Sequence, residues 1–475
     1  MCAEATYLGP RNSWLIVTIG ALFVALAAGF VALVYHTPWG FNPWLQMDHS
    51  AVQLYAQALL AHAPAPFSAP GFTWGGIVLL GGQWLLYAGA AVLAYRQRLV
   101  VTLPALLVVP LLVAGGYLFL PHIFSSDVGV YAMQARVGTL AGGNPYVVAP
   151  TPVDPSFLVR PWNQPFLYGP LALLQLRGAV ALAGPNLLAE VVALKVYGAV
   201  LHLLTCGCVY YTARRLWPAQ AGLAALLYGW NPLVLLENVG GGHNDGWLAA
   251  LVAGSFLCYV LGPRWRGLGL VLALASVLVK YVSLPYVLFY VVAWSRSRDG
   301  QSWRSWLSQV GRSLGAALGL TAGTWLLLPR GSFAAAAQAL VQRASEVTVV
   351  PILTVALHSA QVAQSTLSST TAAALTQGVT WTGRLTFGIA VLVVLGIALL
   401  LLRGQGTPAQ LADAWGVTML IALLFLSPSL FPWYLSWTLP AVVVVVPGAG
   451  GPARRVFIML CGLAVALQWL YFIPA

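Results

Sequence analysis

Long apolar runs alternate with short polar breaks along the chain, and several of the runs are of membrane length. Residues 14–35, 99–120 and 385–402 are almost wholly apolar. At 1.5 Å of rise per residue, about 20 such residues cross a hydrocarbon core of ~30 Å. Backbone groups find no water there, so only helices and closed barrels can span. These runs are far longer than barrel strands, which predicts helices. The first run is too long for a signal peptide, and no small-residue cleavage site follows it. Residues 268–280 and 284–294 are too short for a full crossing and predict half-length or tilted helices beside a cavity.

Arginine gives a topology. Short loops that carry it alternate with loops that lack it. Fourteen of the twenty arginines fall on one side if residues 166–182 form a helix along the membrane surface rather than a span. The positive-inside rule then predicts roughly thirteen spans, with the N-terminus cytoplasmic. The expected fold is an all-α polytopic membrane bundle with surface helices and loops on its outer face. It forms one domain over 1–475, in a plasma membrane. Residues 121–185 and 329–383 are the two large outer loops in which polar chemistry has room.

Composition agrees. Hydrophobic residues make up 60% and charged residues 7%, against about 25% charged in a soluble domain. The formal charge of +12 comes from scattered arginine pairs with no basic domain. That fits helix ends at the cytoplasmic face and excludes a nucleic-acid partner. Four of the five cysteines lie in spanning runs without zinc-site company; Cys206 and Cys208, two apart, do not share a helix face.

The acidic residues are one-sided. With this topology Asp48, Asp127, Asp154, Glu237, Asp245 and Glu346 lie in outer loops or at outer helix ends, as do His243 and Lys280. Asp127 directly follows a spanning run. It suits a general base as well as a cap for a surface helix over 128–140. Three glycines precede His243-Asn244-Asp245, with Glu237 nearby. His243 can donate to a phosphate or a sugar hydroxyl, with Asp245 orienting it. Lys280, one of two lysines, can neutralise a phosphate as a point charge, and Arg330 and Arg343 are similar anion candidates. Lys195, the other lysine, suits a snorkelling anchor or a bridge to Glu190. Residues 427–437 are rich in aromatics that suit an interfacial belt or stacking on sugar rings.

Taken in order, several segments resemble the GT-C superfamily of integral-membrane glycosyltransferases. They are Asp127 to Tyr146, Leu167-Tyr168-Gly169-Pro170, Asn231-Pro232-Leu233 with Glu237, His243-Asn244-Asp245, Lys280-Tyr281 and Phe431-Pro432-Trp433-Tyr434. Within it the chain is most similar to bacterial polyprenyl-phosphate-mannose-dependent α-1,6-mannosyltransferases. The resemblance implies inverting transfer of one sugar, mannose by analogy, from a polyprenyl phosphate to a glycan or glycolipid acceptor at the outer face. It implies Asp127 as base. It places donor contacts at His243, Asn244, Asp245, Glu237, Lys280, Arg330 and Arg343. Acceptor or lipid contacts fall at Tyr131, Tyr146, Tyr168, Trp433 and Tyr434. Members often pair two acids in the first loop. Here Ser125-Ser126-Asp127 has one, so no metal or other cofactor is expected. A flippase of lipid-linked sugars, or a polymerase or ligase using polyprenyl diphosphates, is the alternative. Glucose and arabinofuranose donors stay open.

Overall fold

The computed structural model describes residues 13–36, 70–120, 125, 127–150, 164–184, 186–297, 300–346, 369–426, 431–448 and 452–470. Among these residues the chain is helical, without strands. The helices are α1 (Ser13–His36), α2 (Pro70–Tyr95), α3 (Leu103–Tyr117), α4 (Asp127–Thr139), α5 (Pro170–Ala183), α6 (Leu187–Leu216) and α7 (Ala221–Gly229). Next come the short α8 (Pro232–Leu235), α9 (Asp245–Leu261), α10 (Pro263–Val277), α11 (Leu284–Arg296), α12 (Trp303–Leu326) and α13 (Ser332–Glu346). The last are α14 (Ser369–Arg403), α15 (Pro408–Ile421), the one-turn α16 (Leu439–Val442) and α17 (Pro452–Leu470).

Local chemistry sets many of the ends. The Asn186 side chain accepts from the Ala189 amide at the start of α6, and Arg214 and Arg215 occupy its last turn, where cations suit the helix dipole. Thr407 and Gln410 form a reciprocal capping box on α15. Asn231 accepts from the amides of Leu233 and Val234, so the Asn-Pro pair starts a helix here.

The bulk of the bundle packs on one large apolar core. Two helix sets contribute to it: α1 against α2 and α3, and α9 against α6 and α10. A second, smaller core forms between α4, α5 and the start of α13. It gathers Val128, Tyr131 and Ala135 of α4, Ala172, Leu173 and Leu176 of α5, and Leu328 and Ala336 beside α13. The helix expected over 128–140 is present as α4, and the segment 166–182, expected to lie along the membrane surface, contains the 14-residue α5. The short pair is present as α10 and α11, joined by a 3-10 turn at Tyr281–Ser283.

Several apolar helices fit a membrane-embedded protein, but the expected count of roughly thirteen spans is not reproduced helix by helix. Among the described residues three helices are long and apolar enough to cross: Trp14–Val34, Gly71–Tyr95 and Leu188–Leu216. Pro218–Gly229 with Pro232–Gly240, bent by 50°, makes a fourth if taken together. The remaining apolar helices are shorter. Hydropathy measures runs; it does not see where proline and π-helical turns break them. Residues 369–383, expected in the second outer loop, instead begin the 35-residue α14. Asp48 and Asp154 lie outside the described residues.

Two expectations for α6 are corrected. Lys195 does not snorkel: it is 1% exposed, and its ammonium donates to the Leu120 carbonyl. Glu190 does not reach Lys195; it pairs with Arg136 of α4, whose Nε lies 3.0 Å from both carboxylate oxygens. This pair fastens the far end of α4 to α6, while Lys195 fastens the strand of chain that leads into α4.

Candidate active site

The polar residues singled out in the sequence come together where α4, α9 and α10 meet the 3-10 segment Pro432–Trp437. Asp127 opens α4; its amide donates to Ser125 Oγ at 3.1 Å. Its side chain is 26% exposed, and Oδ2 lies 3.5 Å from His243 Nδ1. On the other side of the imidazole, Nε2 lies 3.4 Å from Glu237 Oε2. His243 is thus held between two carboxylates, at ion-pair distances, with its side chain wholly buried.

The loop that carries His243 has an unusual backbone. Residues Leu236–Gly240 form a π-helical turn, a conformation frequent at functional sites. Gly242 follows with φ of +64°, and an added Cβ would lie 2.8 Å from Val128 Cγ2, next to Asp127. Only glycine meets both demands. Gly242→Ala forces a left-handed alanine, at about 1–2 kcal/mol, against a neighbour that cannot yield freely. A lower melting temperature in detergent than wild type is the expected result, with transfer activity reduced alongside it.

The charges of this group settle its protonation. Burial works against a charged imidazole, but the contacts and negative charges of Asp127 and Glu237 outweigh it and raise His243 to about 9. Burial likewise works against a charged Asp127. The contact and charge of His243, with Ser125 and Lys280, overcome it and hold that carboxyl below its ordinary value. At neutral pH the pair is therefore carboxylate and imidazolium. Tyr131 stays a phenol, because burial and the charges of neighbouring Tyr168, Asp127 and Asp245 push its ionisation up. Its hydroxyl lies 3.4 Å from both Asp127 Oδ2 and Asn244 Oδ1.

Lys280 does not stand as a free cation. Its ammonium donates to Asp245 Oδ1 at 2.7 Å, and both groups are buried. The Trp437 indole N–H donates to the same oxygen. Asp245 therefore orients Lys280 and Trp437, not His243 as expected. The ammonium also lies 4.9 Å from the ring centre of Tyr168 and 5.5 Å from that of Trp437, within cation–π range. Asp245 Oδ2 and Asn244 Nδ2, an acceptor and a donor, have no hydrogen-bond partner among the described residues.

Aromatic rings close the site. Trp433 stacks on His243 with centroids 4.0 Å apart, and Phe431 stacks on the other side of Trp433 at 4.5 Å. Tyr434 packs on Trp437 at 4.4 Å. The aromatics of residues 431–437 thus belong to the site and not merely to an interfacial belt. Tyr146 lies one layer away: its hydroxyl donates to the Tyr168 carbonyl, and its ring meets Phe166 and Trp325. Asn144 caps the same turn and accepts from Ser332 at the start of α13, joining the segment after α4 to the start of α13. Arg330 is exposed beside α13, and among the described residues no contact ties it to the site; the Arg343 side chain lies outside the described residues. Among the described residues no group of three or more His, Cys, Asp or Glu is arranged to hold a metal ion.

Sequence reading missed two parts of this arrangement. Trp437 was visible as an aromatic, but nothing local marked its N–H as the partner of a carboxylate 192 residues away. The Arg136–Glu190 pair, 54 residues apart, was equally hidden.

An all-helical membrane bundle that gathers a partly open carboxylate, a clamped imidazolium and stacked indoles fits a membrane-embedded glycosyltransferase. The family model of the alpha-(1->6)-mannopyranosyltransferase N-terminal domain matches residues 18–296, more than half of the chain, and the chain belongs to this family. No curated protein and no solved structure matches the chain.

Proposed function

We propose that this protein moves one mannosyl residue from a polyprenyl phosphate to a glycan or glycolipid acceptor at the outer face of the membrane, inverting the anomeric centre without a metal ion. The observation that carries this reading is Asp127: an ionised carboxylate at the open edge of an otherwise buried polar cluster. It is placed to take the proton of an attacking hydroxyl. As the acceptor oxygen bonds to the anomeric carbon, the bond to the polyprenyl phosphate breaks and the phosphate leaves with the electron pair. The proton passes to Asp127.

The remaining groups support this assignment. Asn244 Nδ2 and Asp245 Oδ2 offer the donor and acceptor that vicinal sugar hydroxyls require. Trp433 and Tyr434 offer faces for a sugar ring or an isoprenoid chain. Three carboxylates surround two cations, so His243 and Lys280 can stabilise a leaving phosphate only in part. Further positive charge for it would come from Arg330 or Arg343.

Purified protein given short-chain polyprenyl-phosphate sugars and candidate acceptors, with and without EDTA, tests the whole reading. Mannosyl transfer that persists in EDTA supports it. Movement of donor across liposomes without any transfer would replace it with a flippase. The pH profile adds a second check. His243 is raised from an ordinary value of about 6.5 to about 9. Its ion pairs therefore stabilise the fold fully below the ordinary value, and that contribution is lost as pH rises through about 9. Transfer should show an alkaline limb near that pH. Its acid limb should lie below the ordinary aspartate range, where Asp127 takes a proton.

A further inference from the structure

At the end of α10 opposite Lys280, a second polar site lies outside the catalytic cluster. A cavity of about 640 Å3 opens between α10 and α12, lined by Arg264, Gln301, Gln309 and Arg312 together with apolar Leu268 and Val271. With 1.5 Å of rise per residue, about 20 Å of chain separates Arg264 from Lys280. Nothing in the proposed transfer uses this cavity.

Its chemistry is specific. Arg264 and Arg312 make no ion pair and no hydrogen bond among the described residues. Two unneutralised guanidiniums facing one cavity select an anion, and their planar forks match phosphate. The amide oxygens of Gln301 and Gln309 are buried without a hydrogen-bond partner among the described residues. Buried acceptors of this kind call for hydroxyl donors. The ligand therefore carries a phosphate and adjoining hydroxyl groups.

The surroundings say where it comes from. Leu268 of α10 lines the cavity and is itself exposed, with Val271 behind it; the exposed Trp303, Leu307, Leu314 and Leu318 of α12 lie on the face of that helix turned away from the lining residues. Trp303 stacks on the buried Trp306 with centroids 4.7 Å apart, which suits an anchor at a headgroup boundary. Polar lining with exposed Leu268 among it, in a bundle whose apolar helices fit a membrane, suits a molecule with a charged head and hydrocarbon tails. The mouth is fixed rather than loose: Arg266, two residues from Arg264, is buried and donates to the carbonyls of Tyr259 and Ser297.

We infer that this cavity binds the headgroup of phosphatidylglycerol, an anionic glycerophospholipid, with the phosphate on Arg264 and Arg312 and the free hydroxyls of the headgroup glycerol on Gln301 and Gln309. The test uses the full chain in detergent, with binding of phosphatidylglycerol and phosphatidylcholine of equal chain length followed by native mass spectrometry. Phosphatidylglycerol should bind at least about tenfold more tightly, given the worth of each basic residue at a lipid surface. The double variant Arg264→Gln/Arg312→Gln should lose that preference while keeping transfer activity. Both arginines are exposed, and the single Arg312→Gln, with an intermediate loss, serves if the double variant does not fold. Equal binding of the two lipids, or an unchanged preference in the variants, overturns the proposal. Competition by free glycerol phosphate at concentrations matching the lipid would overturn the lipid source and assign the site to a soluble phosphate ester.

Discussion

Asp127→Asn lowers sugar transfer by about 10²–10⁴-fold, the usual worth of a positioned base, while binding of the polyprenyl-phosphate donor changes little. The asparagine keeps the size of the side chain and a polar contact to Tyr131 and His243, but it cannot accept a proton. A complication is built into the geometry, since Asp127 is also one of the two carboxylates that hold His243 charged. Glu237→Gln separates the roles. It removes the other carboxylate, 3.4 Å from Nε2, without touching the open edge of the site. Both variants should move the alkaline limb of the pH profile downward, because His243 loses a negative neighbour in each. Only Asp127→Asn should cause the large fall in rate at neutral pH. Equal falls in the two variants would mean that Asp127 acts through His243 and that the base lies elsewhere.

The second large effect is on stability. Lys280→Met leaves Asp245 as a buried carboxylate, with the Trp437 indole as its one remaining hydrogen-bond partner among the described residues. Removing one member of such a buried pair costs about 3–5 kcal/mol, so the melting temperature in detergent should fall steeply. Lys280→Met combined with Asp245→Asn should recover most of that loss, since the asparagine oxygen still accepts from Trp437 and carries no charge. Transfer by the double variant, compared with that by Asp245→Asn alone, then reports what the ammonium does in catalysis. Recovery of stability with transfer still below that of Asp245→Asn indicates a role of the ammonium toward the donor phosphate. Stability recovered with transfer equal to that of Asp245→Asn marks the ammonium as structural.

Much of this arrangement was legible in the sequence because membrane length and helix caps are local properties. The first spanning helix, the helix opening at Asp127 and the short pair beside Lys280 all rest on runs and breaks within about 25 residues, roughly one span. The site was legible in a weaker sense. Its members could be named because charge is scarce in this chain, but their pairing could not. Asp245 was expected beside His243, two residues away, and instead faces Lys280 across 35 residues. The backbone path after the π-helical turn turns the two side chains toward different partners, and hydropathy carries no trace of that turn. The span count was illegible for a related reason. Pro110 lies inside α3, and π-helical turns at Leu236–Gly240 and Ala422–Leu426 break apolar stretches that read as continuous.

The matched family region ends at Arg296, yet Trp433 stacks on His243 and Trp437 donates to Asp245. This reach has a consequence for biogenesis. As the protein leaves the ribosome, the segments bearing Asp127, His243 and Asp245 are made well before residue 433. Until then the imidazole lacks its indole lid, and Asp245 lacks one of its two donors. The polar cluster can close only when this segment arrives, so its assembly waits on synthesis of residues 431–437.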